Sequence, residues 1–430
     1  MMGQAVNLKL RHMLKIIGPG LLFASTAIGT SHLVLSTRAG AHYGMIFFWI
    51  IVGSLLFKYP FYEFSARYTN ATGNTLLKGY KDQGKWAVVL FMMVIFINMF
   101  AVIGAVGAVC GGLLSLMFGM ADVPMPVLVG GIFLITATIL LMGRYAVLDN
   151  FIKLISVVLL LTVFTAFLAV ILKGPIEPAQ GFMPSMDLSQ GAGLALAVSL
   201  VGFMPSGMEV STMHSIWKVE NMNTTGYHPT LKESLFDFNL GYLFTTVLAL
   251  MFLTIGAFTV YGSGQLLEGN STEFSEKLMA VFTTHLGAWS YPIIALAALG
   301  TIYGTFIATW DAFTRSFVRG LQIFKFERLE NNEEQQRFLN RAYNILLPLI
   351  GLGGFLLFYQ FTGGMIRILE AASIIVFIMA PIIAVLNLRA ITHKTIPASH
   401  RPSKGMLLLA YAGLILMIAF SIFYLLDLLS

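Results

Sequence analysis

Eleven stretches of this chain are apolar for long enough to cross a bilayer, and that repetition constrains the fold more than any single motif. A hydrocarbon layer about 30 Å thick needs roughly 20 helical residues, each adding about 1.5 Å. The stretches fall near 14–38, 44–66, 86–117, 125–142, 148–172, 191–216, 236–260, 288–312, 342–360, 363–388 and 406–427. Lipid offers backbone N–H and C=O groups no partner, so only helices and closed barrels can span it. Barrel strands alternate apolar and polar residues, whereas these runs are solidly apolar. The expected class is an all-α polytopic membrane protein in which residues 1–430 form one transmembrane domain. Composition agrees, since 57% of the residues are hydrophobic and only 11% charged, too few charges to wet a soluble globule.

The formal charge of +6 does not point to nucleic acid, because the basic residues sit at span ends rather than in one patch. Placing the N-terminus in the cytoplasm puts all but five of the 26 Lys and Arg residues on the inner side; the exceptions are Arg38, Lys58, Lys173, Lys277 and Arg367. That asymmetry sets the N-terminus inside and, with eleven spans, the C-terminus outside. Lys9, Arg11 and Lys15 precede the first apolar run, which carries no cleavage site and reads as an uncleaved span. A bacterial inner membrane is the expected location. The polar stretch from Lys325 to Arg341 reads as a solvated cytoplasmic linker. Cys110 is the only cysteine, which excludes an intramolecular disulfide and a cysteine metal cluster. No enzyme signature, cofactor motif or Walker phosphate loop is present, so neither catalysis nor ATP-driven pumping is expected.

Spans one and six are interrupted. The first opens on Gly18-Pro19-Gly20 and is broken by Ser25-Thr26 and again by Gly29-Thr30-Ser31-His32. The sixth is broken at Gly202-Phe203-Met204-Pro205-Ser206-Gly207. Proline lacks an N–H and obstructs the preceding turn, and glycine admits unusual dihedrals. Inside a bilayer such breaks persist only where the freed groups face protein or a cavity. One break alone reads as an ordinary kink. Two are equivalent if 14–172 and 191–388 are five-span repeats, with 406–427 an added helix. Five is odd, so the second repeat is inverted, and paired breaks in inverted halves mark a midplane site for an ion or solute.

Several motifs carry a family resemblance. Gly18-Pro19-Gly20-Leu21-Leu22, followed by Arg38-Ala39-Gly40-Ala41-His42-Tyr43-Gly44, resembles the opening of the Nramp (natural resistance-associated macrophage protein) family of divalent-metal transporters. Ser65-Ala66-Arg67 with Ala71-Thr72-Gly73, Val102-Ile103-Gly104 and Met204-Pro205 are similar to later signatures of that family. The resemblance implies a LeuT-type fold of two inverted five-helix repeats plus an eleventh helix. It also implies proton-coupled uptake of manganese, iron or related ions. The family's Asp-Pro-Gly-Asn falls on Gly29-Thr30-Ser31-His32, and its Met-Pro-His on Met204-Pro205-Ser206. Its proton-relay acids fall on Asn98 and Ala101, so the carboxylates of standard metal–proton symport are gone.

Several donors remain near the breaks. His32 and Met204 offer an imidazole and a thioether, which favour softer transition metals, while oxygen donors suit magnesium and calcium. Opened backbone at 25–29 and 201–203 adds carbonyl oxygens. Glu209 is the only acid near either break and shares a helical face with Ser206. The expected substrate site is therefore Gly29, Thr30, Ser31, His32, Met204, Ser206 and Glu209, with His32, Met204 and Glu209 as metal ligands. Each has a plainer reading: His32 as a cap, Met204 as packing, Glu209 as the partner of a buried base. Lys58, Asn98, His214, Glu370 and Ser373 are pathway or coupling candidates; Ser373 falls where the family has a polar residue near the metal. Lys58 reads either as a fixed internal charge or as a side chain snorkelling to an interface. Lys58 and Glu63 do not share a helical face, whereas Arg367 and Glu370 at i,i+3 and Asp311 and Arg315 at i,i+4 are expected to pair. The expected function is secondary transport of a divalent cation, manganese-like, with the bilayer as the other partner. The alternatives are an anion or small organic solute, favoured by the positive ends of half-helices, and a sensor that binds without translocating.

Overall fold

The computed structural model describes residues 18–143, 145–176, 191–265, 267, 271–326, 332–361 and 364–429. Among these there is no strand. Span one is α1 (Pro19–Ala27), a π-helical turn (Ser31–Ser36) and α2 (Thr37–Tyr43). Then follow α3 (Phe47–Thr72), α4 (Leu76–Gln83), α5 (Lys85–Met117), α6 (Met125–Leu141) and α7 (Tyr145–Lys173). Span six is α8 (Gly191–Phe203) and α9 (Val210–Thr225). The remainder are α10 (Leu231–Thr259), α11 (Ser271–Leu286), α12 (Tyr291–Lys325), α13 (Glu333–Gln360), α14 (Gly364–Thr392) and α15 (Lys404–Leu429). Among the described residues, seven helical segments are long and apolar enough to cross a membrane, and Met125–Leu141, Val158–Lys173 and Ala192–Phe203 are shorter apolar pieces.

Three segments depart from the sequence expectation. α4 and α11 fall where only loops were expected. Each buries one apolar face, through Leu76, Leu77 and Tyr80 in α4 and through Phe274, Leu278 and Met279 in α11. Their charged opposite faces hide them from a search for solid apolar runs. The supposed linker before span nine is helical from Glu333, with Asn332 as its cap: the Asn332 side chain accepts from the Gln335 N–H at 3.0 Å.

The bundle centre is built on α5, which packs against α12, α13 and α14, while α10 packs along both halves of span one and against α3. Glycines set the spacing. A Cβ at Gly20 would lie 2.0 Å from the Asp237 carbonyl oxygen, and one at Gly241 2.1 Å from that of Gly20. Further along, a Cβ at Gly40 would lie 2.0 Å from the Leu253 oxygen, and one at Gly256 2.1 Å from that of Thr37. Likewise α8 meets α14 at Gly202, where a Cβ would stand 2.1 Å from the Ser373 oxygen. No side chain fits at these crossings, so backbones touch directly. The half-helices are thereby held against rigid neighbours, which fixes where the two breaks lie.

Candidate transport site

Each break frees carbonyl groups, and each set is claimed by a side chain from another helix. In span one the helix stops at Ala27, and Ile28 and Gly29 leave it before the π-helical turn begins. Local π geometry of this kind is frequent at functional sites. The Thr305 hydroxyl on α12 faces the freed oxygens of Ser25 and Ile28 at 3.2 and 3.4 Å. Gly29 makes that approach possible, since a Cβ there would lie 2.6 Å from Thr305 Oγ1.

In span six the helix stops at Phe203 and restarts at Val210. Lys58 of α3, only 1% exposed, donates from Nζ to the carbonyl oxygens of Val201 (2.9 Å), Gly202 (3.2 Å), Met204 (2.9 Å) and Ser206 (3.0 Å). The Ser54 hydroxyl donates to the Met204 oxygen at 3.0 Å and the Tyr62 hydroxyl to that of Ser206 at 2.5 Å. Lys58 is thus an internal charge and not a snorkelling side chain. Glu63 pairs instead with Arg67, at 2.7 Å, as the helical geometry of α3 requires. The freed oxygens of Ser25, Ile28, Val201 and Gly202, expected as metal ligands, are occupied by Thr305 and Lys58.

Between the breaks lies a cavity of about 40 Å³ whose polar wall is Thr26, Thr30, Ser31, Ser206, Glu209, Thr305 and Thr309. Glu209 is 2% exposed, and its Oε2 has no hydrogen-bond partner. The carboxylate folds over Gly207, where a Cβ would lie 2.4 Å from Oε1. Asn98 of α5 stands beside it, fully buried, with its amide directed at the carboxylate and its own Oδ1 left without a donor. Lys58 is the cation that acts on Glu209 electrostatically, though no ion pair forms between them. Buried polar atoms left unpaired cost about 1–3 kcal/mol each, so two acceptor oxygens, Glu209 Oε2 and Asn98 Oδ1, left over at the junction of two breaks mark a place built to hold something polar.

Thr30, Ser31, Ser206 and Glu209 are therefore brought together on one cavity wall. His32 is not with them. Its Nε2 faces the Thr245 carbonyl oxygen at 2.9 Å and its Nδ1 the Ser31 hydroxyl at 2.7 Å. A carbonyl only accepts, so Nε2 carries the proton and braces span one against α10, while Nδ1 is spent on Ser31 within span one itself. Met204 is fully buried and does not line the cavity; its backbone carbonyl, not its sulfur, serves the break. Among the described residues, no three His, Cys, Asp or Glu side chains gather into a metal cluster. The soft-metal expectation built on His32 and Met204 falls with them, because the cavity wall offers oxygen.

The outlying candidates have other partners. Glu370 pairs with Arg38 of α2, not with Arg367, which ties the second half of span one to α14. Ser373 bonds to Ser199 at 2.5 Å, holding α8 against α14. His214 bonds through Nδ1 to Ser65 at 2.7 Å and packs edge-on against Phe23. Asp311 and Arg315 pair at 2.7 Å as expected, on the wall of a second cavity of about 640 Å³ that also includes Lys78, Glu220, Arg319 and Tyr343. One residue was missed in the sequence. Asp237 of α10 accepts from the N–H groups of Gly18 and Gly20 at 3.0–3.1 Å, with Lys218 at 3.8 Å. It caps α1, and a lone acid within span seven was the signal that pointed to it.

A family model described as natural resistance-associated macrophage protein-like (Nramp) matches residues 20–427. The chain belongs to the Nramp family. Its membership places it among transporters rather than enzymes. An uncharacterized Pasteurella multocida protein is 31% identical over 415 residues, covering 95% of this chain and 91% of that one. Among solved structures, a variant of the Eremococcus coleocola manganese transporter superposes with a TM-score of 0.67 at 14% identity, over 96% of this chain and 86% of that one. MhsT in complex with L-phenylalanine superposes with a TM-score of 0.60 at 13% identity, over 95% and 98% of the two chains. This Nramp protein therefore has the LeuT-type fold and is an integral membrane protein with several spanning helices.

Proposed function

We propose that this protein is a secondary transporter that moves a divalent metal cation by alternating access. The cation is held between the breaks of spans one and six, with the two five-span repeats 14–172 and 191–388 rocking about it and 406–427 standing outside. The observation that carries this reading is the buried, unpartnered Oε2 of Glu209 on the wall of the inter-break cavity. A carboxylate excluded from water and left short of donors is satisfied by a cation. Asn98 Oδ1 and the hydroxyls of Thr30 and Ser206 are the further oxygens within the same wall or beside it. Such a donor set suits hard ions, magnesium or manganese, over cadmium. Size argues against an organic cargo in this conformation: the cavity holds about 40 Å³, against roughly 300–1,000 Å³ for small-molecule pockets. With Asn98 and Ala101 at the positions of the family's relay acids, the reading includes no proton relay through span three.

The larger cavity is the proposed inner vestibule, because the basic residues that favour the cytoplasm cluster on its side. Uptake of manganese and magnesium into proteoliposomes tests the proposal. Saturable flux in the wild type that is lost in Glu209→Gln supports it. Neither ion crossing, while an amino acid or anion raises the unfolding temperature, overturns it.

A further inference from the structure

The Lys58 cage is a second feature that the transport reading does not use. A helix that stops inside a membrane leaves its last carbonyl groups without partners and points the negative end of its dipole at whatever lies beyond. In span six this need is met at one point. The oxygens of Val201, which keeps only a long 3.4 Å bond from the Met204 N–H, and of Gly202, Met204 and Ser206 converge at 2.9–3.2 Å on the Lys58 nitrogen. Ser54 and Tyr62 donate to the second lone pairs of two of these oxygens, which fixes the direction in which the carbonyls aim. An ammonium has three protons for these four oxygens, so it serves them by charge as much as by individual hydrogen bonds. The geometry is that of a coordinated cation, with the difference that this cation is covalently attached to α3.

We propose that the span-six break is a monovalent-cation site whose occupant is the tethered ammonium of Lys58, standing in for a free ion of ammonium or potassium size. The 2.9–3.2 Å spacing of the cage is too wide for magnesium, at about 2.0–2.1 Å, or calcium, at about 2.3–2.6 Å. The cage is therefore separate from the Glu209 cavity in ligand class, and the proposal stands whatever that cavity carries. Because its ion is tethered, the native break stays assembled at any external concentration of sodium, potassium or ammonium.

Chemical rescue of the full-length Lys58→Ala protein tests this. Thermal unfolding is followed in detergent at constant ionic strength in ammonium, methylammonium, potassium, sodium, choline or N-methylglucamine chloride. The proposal expects Lys58→Ala to melt well below the wild type in choline. It also expects saturable recovery of several degrees in ammonium, methylammonium or potassium, with the wild type unmoved. Lys58→Met, whose stem blocks the cage, should be destabilised and not rescued. The proposal is overturned if Lys58→Ala is as stable as the wild type in choline, if all salts act alike, or if the wild type shifts in parallel. Should Lys58→Ala yield no folded protein, Lys58→Gln decides, because it keeps two donors and loses the charge. A lowered midpoint supports a required cation; a midpoint equal to the wild type shows that donors alone suffice and overturns the proposal.

Discussion

Replacing Glu209 with glutamine removes one charge from the inter-break cavity while keeping the side chain's shape and one acceptor oxygen. The size of the effect follows from the site. At an effective dielectric of about 20, two unit charges about 4 Å apart attract by roughly 4 kcal/mol, and a divalent ion doubles that to about 8 kcal/mol. Part is returned, because the glutamine carbonyl still coordinates and because Lys58 already offsets some of the negative field at Glu209. Little is returned as relief of desolvation, since the carboxylate is buried, with Oε2 unpartnered, before any ion arrives. A loss of at least about 3 kcal/mol remains, or more than about a hundredfold in affinity. Isothermal titration of manganese into purified wild type and Glu209→Gln measures it directly. Equal affinities, with both proteins folded, would refute a site centred on this carboxylate.

Three further outcomes follow from the same geometry. His32→Gln should lower the unfolding temperature, at a cost of about 1–2 kcal/mol for its buried hydrogen bonds, yet leave manganese affinity within about twofold. A large affinity loss there would restore the imidazole as a ligand. Gly241→Ala should destabilise by about 1–3 kcal/mol, because its new methyl would stand 2.1 Å from the Gly20 oxygen; chemical or thermal unfolding in detergent reads this, and no change would mean that α1 and α10 separate freely. Asp237→Asn keeps an acceptor for the α1 N–H groups but leaves Lys218 buried without its counter-charge. A cost of about 3–5 kcal/mol is expected, together with faster hydrogen exchange at the start of α1, and unchanged exchange would remove Asp237 as the anchor of that half-helix.

Much of the fold was legible because membrane helices announce themselves by length and solid apolarity, and the breaks by Gly29, Pro205 and Gly207. α4 and α11 escaped because half-buried helices keep charged faces, and composition averages those faces away. At the site, the outcome divided by chemistry. Glu209 and Ser206, singled out by charge scarcity and helical spacing, line the inter-break cavity. His32 and Met204 were misplaced because donor type says nothing of where a side chain turns, and both are spent within the protein. Lys58 was visible as an anomaly, but its four carbonyl partners lie more than 140 residues away, beyond any local pattern. Glu370 was assigned to Arg367 by spacing, whereas the three-dimensional neighbour is Arg38.

Anomalous diffraction from crystals grown in manganese is the most direct test of where the cargo sits. The account predicts one strong peak within coordination distance of the Glu209 carboxylate, between residues 28–30 and 204–209, with none in the Lys58 cage. A peak on His32 or Met204, or density confined to the larger cavity while transport persists, would contradict it.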